Sequence, residues 1–169
     1  MFDNPTGVMT NAPPFDWHLA HLGMYLDLSV TEPRPLTLGT LTLSPPSSGA
    51  GSVGLPGDMT SPSRFLRAFL FSHSAPKGPT KADAVGLAFH ILNNFDIVPG
   101  TIRTSADATA GGGVNGTEIT EWSVVADLKA RQYTSAPSMI CRRGRWTWTR
   151  PASTERRSAP SRSASRSPR

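Results

Sequence analysis

The chain has 169 residues, with 17 Lys+Arg against 12 Asp+Glu and one cysteine, Cys141. That length suits one domain with a buried core. A lone cysteine excludes an intrachain disulfide and a multi-cysteine metal site, and no apolar run reaches the length of about 18 residues that a membrane-spanning helix needs. The start, Met1 to Gly7, has neither a basic region nor an apolar core, so no signal peptide is expected there. Charge is unevenly placed. Residues 1–141 hold 8 Lys+Arg against 11 Asp+Glu, a net of −3, whereas residues 142–169 hold 9 Arg against Glu155, a net of +8. An acidic domain is followed by a basic Ser/Arg/Pro-rich extension, and the two need separate explanations.

In chain order, Gly7–Thr10 reads as a short strand ending at Asn11-Ala-Pro-Pro14. Phe15–Leu28 reads as a helix, with Leu19, Leu22 and Leu26 at helical spacing. His18 and His21 lie three apart on it. With no third ligand nearby, solvated histidines are expected rather than a metal site. Residues 30–48 form a long Pro/Thr/Ser-rich loop, with extended pieces near Leu36–Leu38 and Leu41–Leu43. Gly49, Gly51 and Gly54 match the G-x-G-x-x-G spacing, but Pro45-Pro46 before them and Pro56-Gly57 after them are the wrong context for a nucleotide site.

The stretch Thr60-Ser61-Pro62-Ser63-Arg64-Phe65 follows, and the rest of the reading turns on it. Ser61 is the expected N-cap and Pro62 the first helical residue. Arg64 then falls in the first turn, where the helix macrodipole disfavours a cation. A partner or a task would explain it; a surface arginine with its stem on the core is the plain alternative. A second helix starts near Thr80, with Asp83 completing a capping-box pair. Its buried stripe is Val85, Ala88, Phe89 and Leu92, with His90 at the core edge, and it ends near Asn93-Asn94. Residues 104–117 form a Gly/Ala/Thr/Ser loop. Thr117–Leu128 alternates as a half-buried strand, with Trp122, Val124, Ala126 and Leu128 on the core face. A turn at Lys129–Arg131 follows, but no partner strand is read after Tyr133, which leaves an unpaired edge.

Several stretches together resemble the choloylglycine hydrolase family of linear-amide C–N hydrolases, which includes penicillin V acylases and conjugated bile acid hydrolases. They are Asp3-Asn-Pro-Thr-Gly-Val-Met-Thr-Asn11, Phe15-Asp-Trp-His18, Gly51-Ser-Val-Gly-Leu-Pro-Gly-Asp58, Ser61-Pro-Ser-Arg-Phe65 and Trp122-Ser-Val-Val-Ala-Asp-Leu128. The resemblance covers residues 1–133. It implies an α+β fold, part of an N-terminal-nucleophile αββα sandwich, in which a cysteine at the chain's own N-terminus attacks a side-chain amide. It also implies that Arg64 favours the thiolate and that Asn11 offers its side-chain amide to the oxyanion. Turn chemistry before Pro13 is the alternative for Asn11.

The family's cysteine, a nearby aspartate and a further asparagine have no counterpart here, and Cys141 lies in no matching motif. A fragment inactive by itself is therefore expected. The implied partner is a small-molecule amide substrate, in a family whose members are frequently homo-oligomers. No cofactor, metal or membrane is expected. Residues 134–169 are expected to be a disordered, out-of-frame product, because the codons of Thr134–Pro137 read one base over can give Phe-Arg-Thr, which suits the missing strand. That gives the basic tail little weight as a nucleic-acid contact. The rival reading is a small non-enzymatic domain with an Arg/Ser-rich arm that binds nucleic acid through phosphates.

Overall fold

The computed structural model describes residues 3–103 and 117–137. They fall into two compact units, one ending at Thr120 and one beginning at Glu121. Both helices and antiparallel strands are present, an α+β composition.

In the first unit, α1 runs Phe15–Leu22 and gives way to a 3-10 turn at Gly23–Tyr25. The expected helix to Leu28 is cut short at Gly23, a residue with poor helix propensity. The Leu stripe is not what α1 buries. Leu19 and Leu26 are exposed, while His18 is 1% exposed. This corrects the expectation of solvated histidines on this helix: the His18 ring lies flat against Phe65 at 4.4 Å, with Trp17 edge-on at 5.4 Å.

The short extended pieces pair as a hairpin, β1 (Leu36–Leu38) with β2 (Leu41–Leu43). Its two-residue turn needs a positive φ, and Gly39 supplies it at 62°. The glycine-rich loop follows. Its Gly49 and Ala50 N–H groups donate to the Glu32 carboxylate. These two N–H donors are thus taken by an acid.

Helix α2, Ser61–Ser74, is the centre of this unit. Phe65 and Leu66, each 2% exposed, are the fully buried apolar side chains among the described residues. Phe65 meets Phe15 edge-on at 6.2 Å. Helix α3, Lys81–Leu92, has the expected capping box, with Thr80 and Asp83 exchanging bonds. Its stripe is half-buried and His90 is exposed rather than at the core edge. Thr117 bridges Arg103, and the Thr120 hydroxyl accepts from the Ile97 N–H at 2.8 Å.

The second unit is an antiparallel hairpin, β3 (Trp122–Asp127) with β4 (Gln132–Pro137). Asp127 accepts from the Ala130 N–H at 2.9 Å, which closes the turn. This corrects two expectations. The partner strand does arrive, so β3 is paired and order does not stop at Tyr133. Thr134, Ser135 and Ala136 lack apolar periodicity, but a ladder needs only backbone groups, and Pro137 ends it where an N–H is no longer required. β3 thus has its partner in the chain as given. The face of β3 expected to be buried is instead exposed, with Trp122 63% exposed. The expected Gly/Ala/Thr/Ser loop over 104–116 and the expected basic, disordered tail over 138–169 lie outside the described residues.

Candidate active site

The loop before α2 holds its first turn. Helix α2 starts one residue earlier than expected: Thr60 is the N-cap, Ser61 the first helical residue and Pro62 the second. Thr60 makes no side-chain cap bond. The capping work falls to Asp58, whose carboxylate accepts from the Thr60 N–H (2.9 Å), the Thr60 hydroxyl (2.5 Å) and the Ser63 hydroxyl (2.6 Å). An anion at this end also complements the helix dipole. Arg67, buried one turn on, donates to the Pro56 and Asp58 carbonyls at 2.9 and 2.6 Å. The loop is thus fixed from both sides.

Those bonds, the Ser63 hydroxyl first, lower the Asp58 pKa from 3.8 to about 2. A depressed carboxylate pKa stabilises the folded chain above 3.8, and that stabilisation is lost as pH falls through about 2. Melting temperatures of the native chain and of Asp58→Asn are expected to converge as pH is lowered across this window. A gap that stays constant with pH would show that the carboxylate charge is not what holds the loop.

Residues 4–11 run beside α2. The Thr6 carbonyl meets His73 Nε2 at 3.0 Å near the end of the helix, and Asn11 meets Ser61 and Arg64 at its start. Five extended residues at about 3.3 Å each reach roughly 17 Å, close to the roughly 18 Å that twelve helical residues rise. This segment therefore forms no strand, contrary to expectation; its anchor points are on a helix. It is this alignment that joins two residues 53 positions apart.

At the meeting point, Arg64 Nη2 lies 3.2 Å from Asn11 Oδ1 and 3.2 Å from Ser61 Oγ. The Ser61 hydroxyl reaches Asn11 Oδ1 at 2.5 Å, and Thr10 Oγ1 lies 3.2 Å from it. A guanidinium only donates, so the amide atom facing it must be the oxygen. Asn11 Nδ2 is left with no acceptor among the described residues. Arg64 Nε is buried with no partner. Arg64 forms the first backbone bond of α2, to the Thr60 carbonyl at 2.9 Å, so its side chain starts from a fixed point. The arrangement can present N–H donors together with a positive charge that makes no ion pair among the described residues. Ser61, read from sequence as a cap, is the member of this cluster that sequence reasoning missed. The clue was Asp58, a better capping acceptor two residues upstream of Thr60.

The apolar groove between α1 and α2, about 240 Å³ and lined by residues including Leu22, Tyr25, Leu66, Phe69 and Leu70, is a separate feature. At 100° per residue, Leu66, Phe69 and Leu70 project from the side of α2 opposite Arg64. No group of three or more acidic, His or Cys side chains able to hold a metal occurs among the described residues.

The bile salt hydrolase/transferase of Clostridium perfringens is 44% identical to this chain over 105 residues, which are 62% of this chain and 32% of that protein. That of Lactiplantibacillus plantarum is 38% identical over 96 residues, 57% of this chain and 30% of that protein. Among solved structures, a mutant of the conjugated bile acid hydrolase from Clostridium perfringens matches with a TM-score of 0.67 and 34% identity, covering 81% of this chain and 39% of that one. Penicillin V acylase from Agrobacterium tumefaciens matches with a TM-score of 0.51 at 24% identity, over 77% of this chain and 32% of that one, a likeness of fold alone. The chain therefore spans about a third of the length of these relatives. Residues 1–136 match the family described as linear amide C-N hydrolases, choloylglycine hydrolase family. On a match over most of its length, the chain belongs to the choloylglycine hydrolase family of linear amide C–N hydrolases.

Proposed function

We propose that Asn11 and Arg64 are the oxyanion and thiolate partners in the active site of a linear-amide hydrolase of the conjugated bile acid type. The whole enzyme would be an αββα sandwich of the N-terminal-nucleophile class. The bond between Arg64 Nη2 and Asn11 Oδ1 carries this reading, in a chain of this family. Conjugated bile acids are favoured over penicillins as substrate on the 34% identity to the solved bile acid hydrolase, against 24% to the acylase over a similar share of the chain.

In this reading a cysteine at an N-terminus attacks the amide carbonyl, and its α-amino group takes the thiol proton. The guanidinium of Arg64 favours the thiolate before attack. An Asn11 Nδ2–H donates to the oxygen as its negative charge develops in the tetrahedral intermediate. The C–N bond then breaks, the amine leaves with the proton, and water hydrolyses the thioester.

The nucleophile is not among the described residues, since the one cysteine of the sequence is Cys141. The 169-residue polypeptide by itself is therefore expected to release no amine from glycocholate or penicillin V, and a complete enzyme carrying these residues is expected to release glycine from glycocholate. Amine release by the polypeptide alone, abolished by Cys141→Ala, would overturn the assignment. So would a complete enzyme inert toward every conjugated bile acid and penicillin tried.

A further inference from the structure

We propose that Ser61 is a positioning residue that sets the orientation of the Asn11 amide; this rests on the amide-hydrolase reading above. Ser61 Oγ, Asn11 Oδ1 and Arg64 Nη2 form a closed triangle with sides of 2.5, 3.2 and 3.2 Å. The directions of its bonds follow from what each group can do. Arg64 has donors only, so Ser61 Oγ accepts from it. The single Ser61 proton is then available to Asn11 Oδ1, the shortest contact of the three.

Asn11 is exposed and can in principle turn its amide over. In the observed orientation Oδ1 has Ser61, Arg64 and Thr10 around it. The flipped orientation sets an NH₂ group against a guanidinium, donor facing donor, and it leaves the hydroxyl of Ser61 without its acceptor. The triangle therefore selects the orientation in which Nδ2 is free to donate outward. Arg64 alone is a poor clamp, because it is a long side chain whose contact with Asn11 is 3.2 Å. Ser61 is a short side chain on a fixed backbone. Thr60 before it and Ser63 after it are both tied to the Asp58 carboxylate. Because Thr60 and not Ser61 is the N-cap, the Ser61 hydroxyl is free for this task.

The test uses the complete enzyme carrying these residues, with glycocholate as substrate. Ser61→Ala is expected to lower kcat by about 10- to 100-fold with KM nearly unchanged, the scale of a misplaced catalytic group. Ser61→Thr, which retains the hydroxyl, is expected to recover most of the rate. In an Asn11→Ala background Ser61→Ala should have no further effect, because the group it orients is gone. An unchanged kcat for Ser61→Ala, or an equal loss in both backgrounds, overturns the proposal. If Asn11→Ala and Arg64→Ala themselves leave kcat unchanged, it is the underlying site reading that fails. Thermal unfolding of each variant accompanies the kinetics, and a Ser61→Thr enzyme that is folded yet as slow as Ser61→Ala also overturns the proposal.

Discussion

Asn11→Ala in the complete enzyme is expected to lower kcat by about 10²–10³, or about 2.7–4 kcal/mol of transition-state stabilisation, with a much smaller effect on KM. The asymmetry follows from timing. An N–H donor aimed at an oxygen that becomes charged only during reaction binds the transition state more tightly than the substrate. Asn11→Asp is the sharper variant. It keeps an oxygen that can accept from Ser61 and Arg64, so the triangle of bonds survives, but it replaces both outward N–H donors with a second acceptor and adds negative charge. It is expected to be at least as slow as Asn11→Ala while melting at a similar or higher temperature. Arg64→Ala should also lose kcat, with the loss easing as pH rises toward the thiol pKa, because a cation that favours the thiolate matters less once the thiol ionises unaided. Steady-state kinetics against pH separates the two roles. Near-native kcat in Asn11→Asp would remove Asn11 from the oxyanion site.

Phe65→Ala is expected to destabilise the fold by about 3–5 kcal/mol, the usual cost of deleting a buried aromatic ring. Here the loss falls on a small core. Phe65 is 2% exposed, carries the His18 ring on its face at 4.4 Å and meets Phe15 edge-on at 6.2 Å. Removing it leaves a cavity where α1 and α2 meet and uncovers His18, whose two ring nitrogens already lack partners among the described residues. Urea unfolding is the direct measurement, read as a shift in midpoint. Phe65 is next to Arg64 in sequence but on another side of the helix. The variant is therefore expected to lose activity in proportion to unfolded protein, with kcat per folded molecule largely kept. A destabilisation below about 1 kcal/mol would mean that the packing of α1 on α2 does not depend on this ring.

How much was legible differs from element to element, and the differences have physical causes. Helices α2 and α3 were readable because their signals are local: a proline near the start, the Thr80–Asp83 capping box and an apolar run that begins at Phe65. The β1–β2 hairpin was half readable, as two extended pieces whose turn glycine went unremarked. The candidate pair Asn11 and Arg64 came from motif resemblance. Nothing in the spacing of 53 residues requires them to touch.

The sequence by itself determined the Thr80–Asp83 capping box, the acidic domain with its basic extension and the family motifs. Each rests on neighbours within a few residues, where chain connectivity already places the groups together. Tertiary structure decided the rest. It buried His18 and left Leu19 and Leu26 exposed, because burial depends on which side of α1 faces Phe65 and not on which residues are apolar. It paired Thr134–Pro137 with β3, because a ladder is made by backbone groups that composition does not report. It also made Thr60 the N-cap and turned Ser61 toward Asn11. A hydroxyl at a helix start has several acceptors within reach, and only the path of residues 4–11 along α2 determines which one it takes.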